Sequence, residues 1–412
     1  MTTAAQERDE GLFGWWRGAS PGSRRALAAG FGGWMLDAFA VQIFALILVA
    51  VLDDLHLPRQ TGGLLASATL VAAAFGGLGF GFVADRYGRR PALICTVLLY
   101  SVFTAACGLA VGVTALLVFR ILLGLGMGGA WASAAALVSE TWPAEHRGKA
   151  LGFMQSAWAI GYAAAALVTL IVLDRWGWRA VFFVGILPAF FAVWVQRQVE
   201  EPEIWRARRA APTATRGRFT DIFRGRLRRL TTAVTLMNAC TLFAWWGFNT
   251  WVPAYLRSVG LSNRAMSTFI IVNQVGMWFG YVTFGYISDA LGRKRTYVTY
   301  LLAAAVLLAL YGMTAQRTLL LALGPFVAFF ATGYYSGFGA VTAEIYPTDV
   351  RATAQGFTYN IGRLVSAAAP LTVASLADSR GFGVAFVVTA AAFVVASIFW
   401  IWIPETRGKK LE

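Results

Sequence analysis

Along most of this chain apolar residues run on without the regular polar interruptions that give a helix or strand one wet face. A helix that crosses a bilayer needs about 20 mostly apolar residues. Twelve such runs are present, beginning near Ala26, Gly63, Pro91, Ala115, Lys149, Trp178, Thr231, Thr268, Thr296, Leu319, Thr353 and Gly383. The pattern predicts an all-α membrane protein of twelve transmembrane helices. The connectors alternate between two kinds. One kind is basic: Arg24 and Arg25, then Arg86, Arg89 and Arg90, then Arg147 and Lys149, the long run from Arg197 to Arg229, Arg293 to Arg295, Arg351, and Arg407 to Lys410. The other kind holds only scattered charges such as Arg59, Arg175, Arg257, Arg317 and Arg380. By the positive-inside rule both termini and the central loop are expected to be cytoplasmic. The expected divisions are a segment over 1–25, a six-helix half over 26–196, a basic linker over 197–229, a second half over 230–403 and a tail over 404–412.

Composition agrees that lipid is the solvent. Of 412 residues 58% are hydrophobic and 13% charged, and mean hydropathy is +0.62, too apolar for a soluble domain. A net charge of +15 could suit a nucleic-acid binder, but the basic residues sit in short segments between apolar runs, so no nucleic-acid partner is expected. The first 25 residues lack the short apolar core of a cleaved signal, and the first span is expected to serve as its own. Cys95, Cys107 and Cys240 all fall within apolar runs, so neither disulfide nor metal is expected. With no Ser/His/Asp set and no phosphate loop, the chain is read as no enzyme and as needing no cofactor. GLGMGG lies inside a span without a following Lys and Ser or Thr, and reads as glycines for close helix packing.

Self-comparison at an offset of about 204 residues gives the most specific signal. GFVADRYGRRPAL from Gly81 aligns with GYISDALGRKRTY from Gly285, pairing Asp85 with Asp289, Gly88 with Gly292 and Arg89 with Arg293. At the same offset SETWPAEHRGKALGF aligns with AEIYPTDVRATAQGF, pairing Glu140 with Glu344 and Arg147 with Arg351. EEPEIW and IPETRGKKL match at a nearly equal offset, through Pro202 with Pro404 and Glu203 with Glu405. The chain is therefore read as two similar six-helix halves with equivalent loops on one side.

The loop after the second span (Gly81, Asp85, Arg86, Gly88, Arg89, Arg90), the run Arg120, Gly124, Gly126, Gly128 in the fourth, the Glu140–Pro143–Arg147 loop and the Pro-Glu-Thr-Arg-Gly tail resemble the major facilitator superfamily. The nearest branches are the organic-acid:proton symporters (lactate, sialate, aromatic acids) and the sugar porters. The resemblance implies alternating access, in which two halves rock about a central site. It also implies a cytoplasmic gate made by Asp85, Arg89, Glu140, Arg147, Asp289, Arg293, Glu344 and Arg351, whose ion pairs form when that side is closed and part when it opens. By the same resemblance Asp37 and Arg120 correspond to an acid and an arginine that sit together in proton-coupled sugar porters and link protonation to transport.

Buried polar groups without a counterpart in the other half are the better candidates for chemistry. Asp37 stands opposite Thr241, Arg120 opposite Gly324, and Arg363 opposite Ala159. Charges at such depth are costly unless paired or hydrated. A carboxylate that loses an arginine partner while desolvated takes up a proton, the physics of a proton switch. With Asp37 engaged by Arg120, Arg363 is left for a substrate carboxylate, which a planar guanidinium binds bidentately. The expected cavity lining adds Gln155, Trp158 and Tyr162, then Trp246 and Asn249, then Tyr334, Tyr335, Tyr359 and Asn360. Where sugar porters carry paired glutamines ahead of the asparagine, this chain has Phe243 and Ala244, which demotes a sugar.

The expectation is a proton-coupled symporter of a small organic anion, a monocarboxylate, acting as a monomer in a bacterial inner membrane. A sugar or polyol symporter and a multidrug antiporter are the alternatives among transporters. A solute receptor that moves nothing is the alternative of another class, and the short termini argue against it.

Overall fold

The computed structural model describes residues 14–202, 219–347 and 350–407. Among them are helices and no strand, as expected where lipid offers the backbone no hydrogen-bond partners. After the short α1 (Gly14–Arg17) come α2 (Pro21–Asp54), α3 (Arg59–Tyr87), α4 (Arg89–Cys107), α5 (Val113–Thr141), α6 (Ala144–Val184) and α7 (Pro188–Gln198). The second half follows as α8 (Gly225–Ser258), α9 (Asn263–Leu291), α10 (Arg293–Met313), α11 (Arg317–Gly333), α12 (Tyr335–Ile345), α13 (Arg351–Ser366) and α14 (Ala368–Ile398). α8 begins inside the basic stretch read as linker, so Arg226, Arg228 and Arg229 lie on its first turns. Residues 203–218 of that stretch lie outside the described set.

Twelve crossings are reached with fewer breaks than the apolar runs predict. The segments 146–198 and 353–401 are each long enough to cross twice. Their reversals are made at Gly177 (φ 74) and Gly381 (φ 81), a left-handed backbone that a residue without Cβ adopts at little cost. These two glycines stand 204 positions apart, and so do Gly88 (φ 118) and Gly292 (φ 100), which separate α3 from α4 and α9 from α10. The repeat seen in the loops thus extends to the backbone. α8 carries Asn238 and Asn249, and α9 carries Asn273 and Gln274, all buried.

The glycine run in α5 sets the packing of the first half. A Cβ on Gly124 would meet the Thr69 carbonyl oxygen at 2.4 Å and one on Gly128 that of Ala73 at 1.9 Å, so α5 lies directly against α3. Gly276 and Gly280 of α9 do the same against Pro325 and Phe329 of α11. All three cysteines are free.

Candidate functional site

The two ends of the bundle are built differently. At the end carrying the basic loops, Arg89 grips Glu140 with Nε at 3.1 Å and Nη2 at 2.8 Å, and Arg293 pairs with Asp289 and with Glu344 at 3.2 Å. Each pair lies within one half, not between halves. Glu201 accepts from the backbone N–H groups of Arg89 and Arg90, both at 2.9 Å, and Glu405 accepts from those of Arg293 at 2.8 Å and Lys294 at 3.1 Å. Glu201, two residues before the Glu203 matched by letter, is therefore the equivalent of Glu405. The match of Glu203 with Glu405 is corrected: backbone geometry keeps the 204-residue offset, whereas the shared Pro-Glu letters slip by two. Arg351 donates to the Tyr346 carbonyl at 3.3 Å, and Arg147 is half-buried. Glu203 and the side chain of Asp85 lie outside the described set.

At the far end the contacts cross. Arg59 on α3 pairs with Asp378 on α14 at 2.7 Å. Asn263 on α9 donates to Asp174 on α6 at 2.6 Å, with Arg264 3.8 Å from the same carboxylate. Residues 59 and 263, and 174 and 378, again stand 204 apart. At the far end these contacts join the two halves. The ion pairs at the basic end each tie neighbouring helices of one half.

Between the ends lie the unmatched charges. Asp37 is fully buried, neither carboxylate oxygen has a hydrogen-bond partner, and the cation whose charge reaches it is Arg363. Arg363 crosses from the second half to the first: Nη1 donates to the Ala73 carbonyl at 3.4 Å and Nη2 to the Tyr359 hydroxyl at 3.3 Å. Arg120, expected beside Asp37, instead donates from Nε to Thr69 Oγ1 at 2.9 Å and stacks on Phe44 at 3.8 Å. The pairing expected from the resemblance is thus redistributed. The physical reason is direction: Arg120 extends from α5 onto α3, while Arg363 comes in across the interface at the level of Ala73.

Most of the expected lining gathers here. Tyr359 stacks on Trp131 with ring centres 5.1 Å apart, and Trp131 Nε1 donates to Gln155 Oε1 at 3.1 Å. Trp158 meets Trp34 at 4.7 Å and, across the interface, Trp246 at 6.2 Å edge to face. Tyr334 and Tyr335 lie 4.6 Å apart, both hydroxyls buried without a partner, as is that of Tyr162. Asn360 uses its amide on the Gly356 carbonyl. Asn249 is buried with its Nδ2 unpartnered. Trp131, Tyr281 and Gln42 were missed by sequence reasoning. For Trp131 the signal was present: a single large aromatic follows Gly128, Gly129 and Ala130, where every other residue is small enough to let helices touch.

Comparison with known proteins agrees with this architecture. The Major Facilitator Superfamily model matches residues 30–273 and 234–412. A Haemophilus influenzae protein named only as a candidate for metabolite transport is 35% identical, over 94% of this chain and 98% of its own. The cis,cis-muconate transport protein of Acinetobacter baylyi is 30% identical over 88% and 90%, and a sialic acid transporter of Escherichia coli 28% over 92% and 93%. Among solved structures, the Escherichia coli xylose transporter in a partially occluded inward-open conformation superposes with TM-score 0.78 at 19% identity, over 95% of this chain and all of that one. Two pseudo-symmetric six-helix bundles around a polar centre, matched from residue 30 to residue 412, make this protein a member of the major facilitator superfamily, a multi-pass membrane transporter and not an enzyme.

Proposed function

We propose that this transporter carries a small organic anion together with a proton by alternating access, with Asp37 as the proton site and Arg363 as the anion site. The observation that carries the reading is Asp37 itself, a fully buried carboxylate without a hydrogen-bond donor, within electrostatic reach of Arg363. Burying a charge without hydrogen bonds is costly. While Asp37 is ionised it offsets Arg363. Once it takes a proton, the guanidinium is left to attract a substrate carboxylate in a low-dielectric cavity, so proton and anion bind together. Trp131, Tyr359, Trp158 and Trp246 supply apolar faces for the rest of the ligand. Relatives named for muconate and sialic acid, both acids, favour an anion. The positive-inside rule makes the basic end cytoplasmic, and the bacterial relatives favour a bacterial inner membrane.

The test is proton uptake into proteoliposomes holding a pH dye, driven by muconate, sialate, benzoate or xylose. A carboxylate is expected to acidify the lumen. Asp37→Asn is expected to abolish that signal and keep substrate exchange, and Arg363→Ala to abolish both. Acidification by xylose and by no carboxylate would return Arg363 to a structural role and make the protein a sugar symporter.

A further inference from the structure

Beside the Asp37 and Arg363 centre lies a second buried cation for which that scheme has no use. Arg120 is 3% exposed and its Nη1 has no partner. Among the described residues no carboxylate pairs with it: Asp37 is reached by Arg363, and the ion pairs lie toward the two ends. The small cavity at Arg120 is lined by Gln42, Thr69, Trp246 and Thr250 among others. Gln42 is 1% exposed and its Nε2 is also unpartnered. Arg120 Nη1 and Gln42 Nε2, the buried atoms left without a partner, are both donors, and a buried guanidinium without a counter-ion is a standing cost that an arriving anion would remove.

The placement of this cavity relative to Arg363 is set by α3. Arg120, from the first half, bonds Thr69, and Arg363, from the second, bonds Ala73. Residues four apart share one helix face, and four residues advance about 6 Å along the axis. Two guanidinium groups from opposite halves therefore meet the same face of α3 one turn apart. We propose that the Arg120 and Gln42 cavity is a second carboxylate subsite, and that the transported anion is a short dicarboxylate held at one end by Arg363 and at the other by Arg120. This inference rests on the symport reading above and replaces the monocarboxylate expected when a single arginine is counted as free. Charge supports it. With Asp37 protonated, two arginines leave the centre at +2, which a dianion neutralises and a monoanion does not. Net neutrality favours moving a loaded centre through a low-dielectric interior.

The experiment compares malonate, succinate, glutarate, adipate and benzoate in the wild type, Arg120→Gln and Gln42→Leu. Uptake into proteoliposomes gives one readout, and ligand-induced thermal stabilisation in detergent gives the other. The wild type is expected to favour one chain length of the series over benzoate. Arg120→Gln is expected to weaken that diacid by about thirtyfold or more and benzoate by about threefold at most, because only the diacid loses a buried charge partner. Gln42→Leu is expected to shift selectivity in the same direction by about tenfold, and it serves if Arg120→Gln fails to insert. Equal losses for diacid and benzoate, or a wild type that prefers benzoate, would overturn the second subsite and leave the symport reading standing. A wild type that imports no anion with protons overturns both.

Discussion

The basic end and the far end of the bundle use similar charged residues for opposite tasks. At the basic end Arg89 with Glu140 and Arg293 with Glu344 fasten helices within one half. At the far end one pair, Asp54 with Arg179, is also internal to a half, but Arg59 with Asp378, and Asp174 with Asn263 and Arg264, join the halves. An internal fastening persists whatever the two halves do, so it contributes to stability. A crossing contact exists in one state only, so its free energy sets a population.

The largest effect that would sharpen this contrast is Arg89→Ala. It leaves Glu140 mostly buried and unpaired, and is expected to cost about 3 kcal/mol, read as a lowered thermal midpoint in detergent with the balance of open states unmoved. Glu201→Ala removes the acceptor for two backbone N–H groups at the start of α4 and is expected to cost about 1–2 kcal/mol. Glu405→Ala should give a matching loss at α10; a loss at only one of the two would break the equivalence of the halves.

Smaller, and opposite in kind, is Asp378→Asn. The Arg59–Asp378 pair is about one-third exposed on both sides, so it contributes roughly 1 kcal/mol at most. Its loss should shift the far end toward opening by about fivefold with little change in melting. Spin labels at Gln60 and Arg380 would read that shift as a longer distance, and an unchanged distance would show that the pair sets no population. Asp174→Asn should do less, since its nearest partner, Asn263, is neutral.

The smallest effect is one of pH. Burial raises the Glu405 carboxyl, but backbone N–H groups of Arg407, Arg293, Lys294 and Thr406 outweigh it and hold the group below the usual carboxylate range. A lowered folded value means that the stabilisation is complete above the unfolded value, about 4.3, and fades as pH falls from there through the folded one. The protection factors of the Arg293 and Lys294 amides, exchange rates corrected for the intrinsic effect of pH, are expected to fall over that acid window and stay flat above it.

Much of the architecture was legible because lipid imposes a simple rule on length and polarity. Twelve apolar runs and one constant offset carry the two halves, their alternating loops and the glycines between α3 and α4 and between α9 and α10. Letters misled where geometry is the better guide: Glu203 resembles Glu405 in its neighbours, yet Glu201 holds the equivalent backbone contacts. At the centre the kinds of residue were legible and their partners were not. Asp37, Arg120 and Arg363 stand out in sequence as charges in apolar runs, but which arginine reaches Asp37 depends on how two halves meet across α3. Trp131 went unread because an aromatic in a span packs against lipid or protein as readily as it lines a cavity.

The reversals at Gly177 and Gly381 bear on where this protein can be labelled at its far end. Between the fifth and sixth crossings, and between the eleventh and twelfth, a single residue departs from helical geometry. A tag or fluorophore inserted there would have to break into helix on both sides, whereas residues 108–112 between α4 and α5 form a true loop, with Val111 91% exposed. A label meant to report on the far face without disturbing transport belongs at that loop.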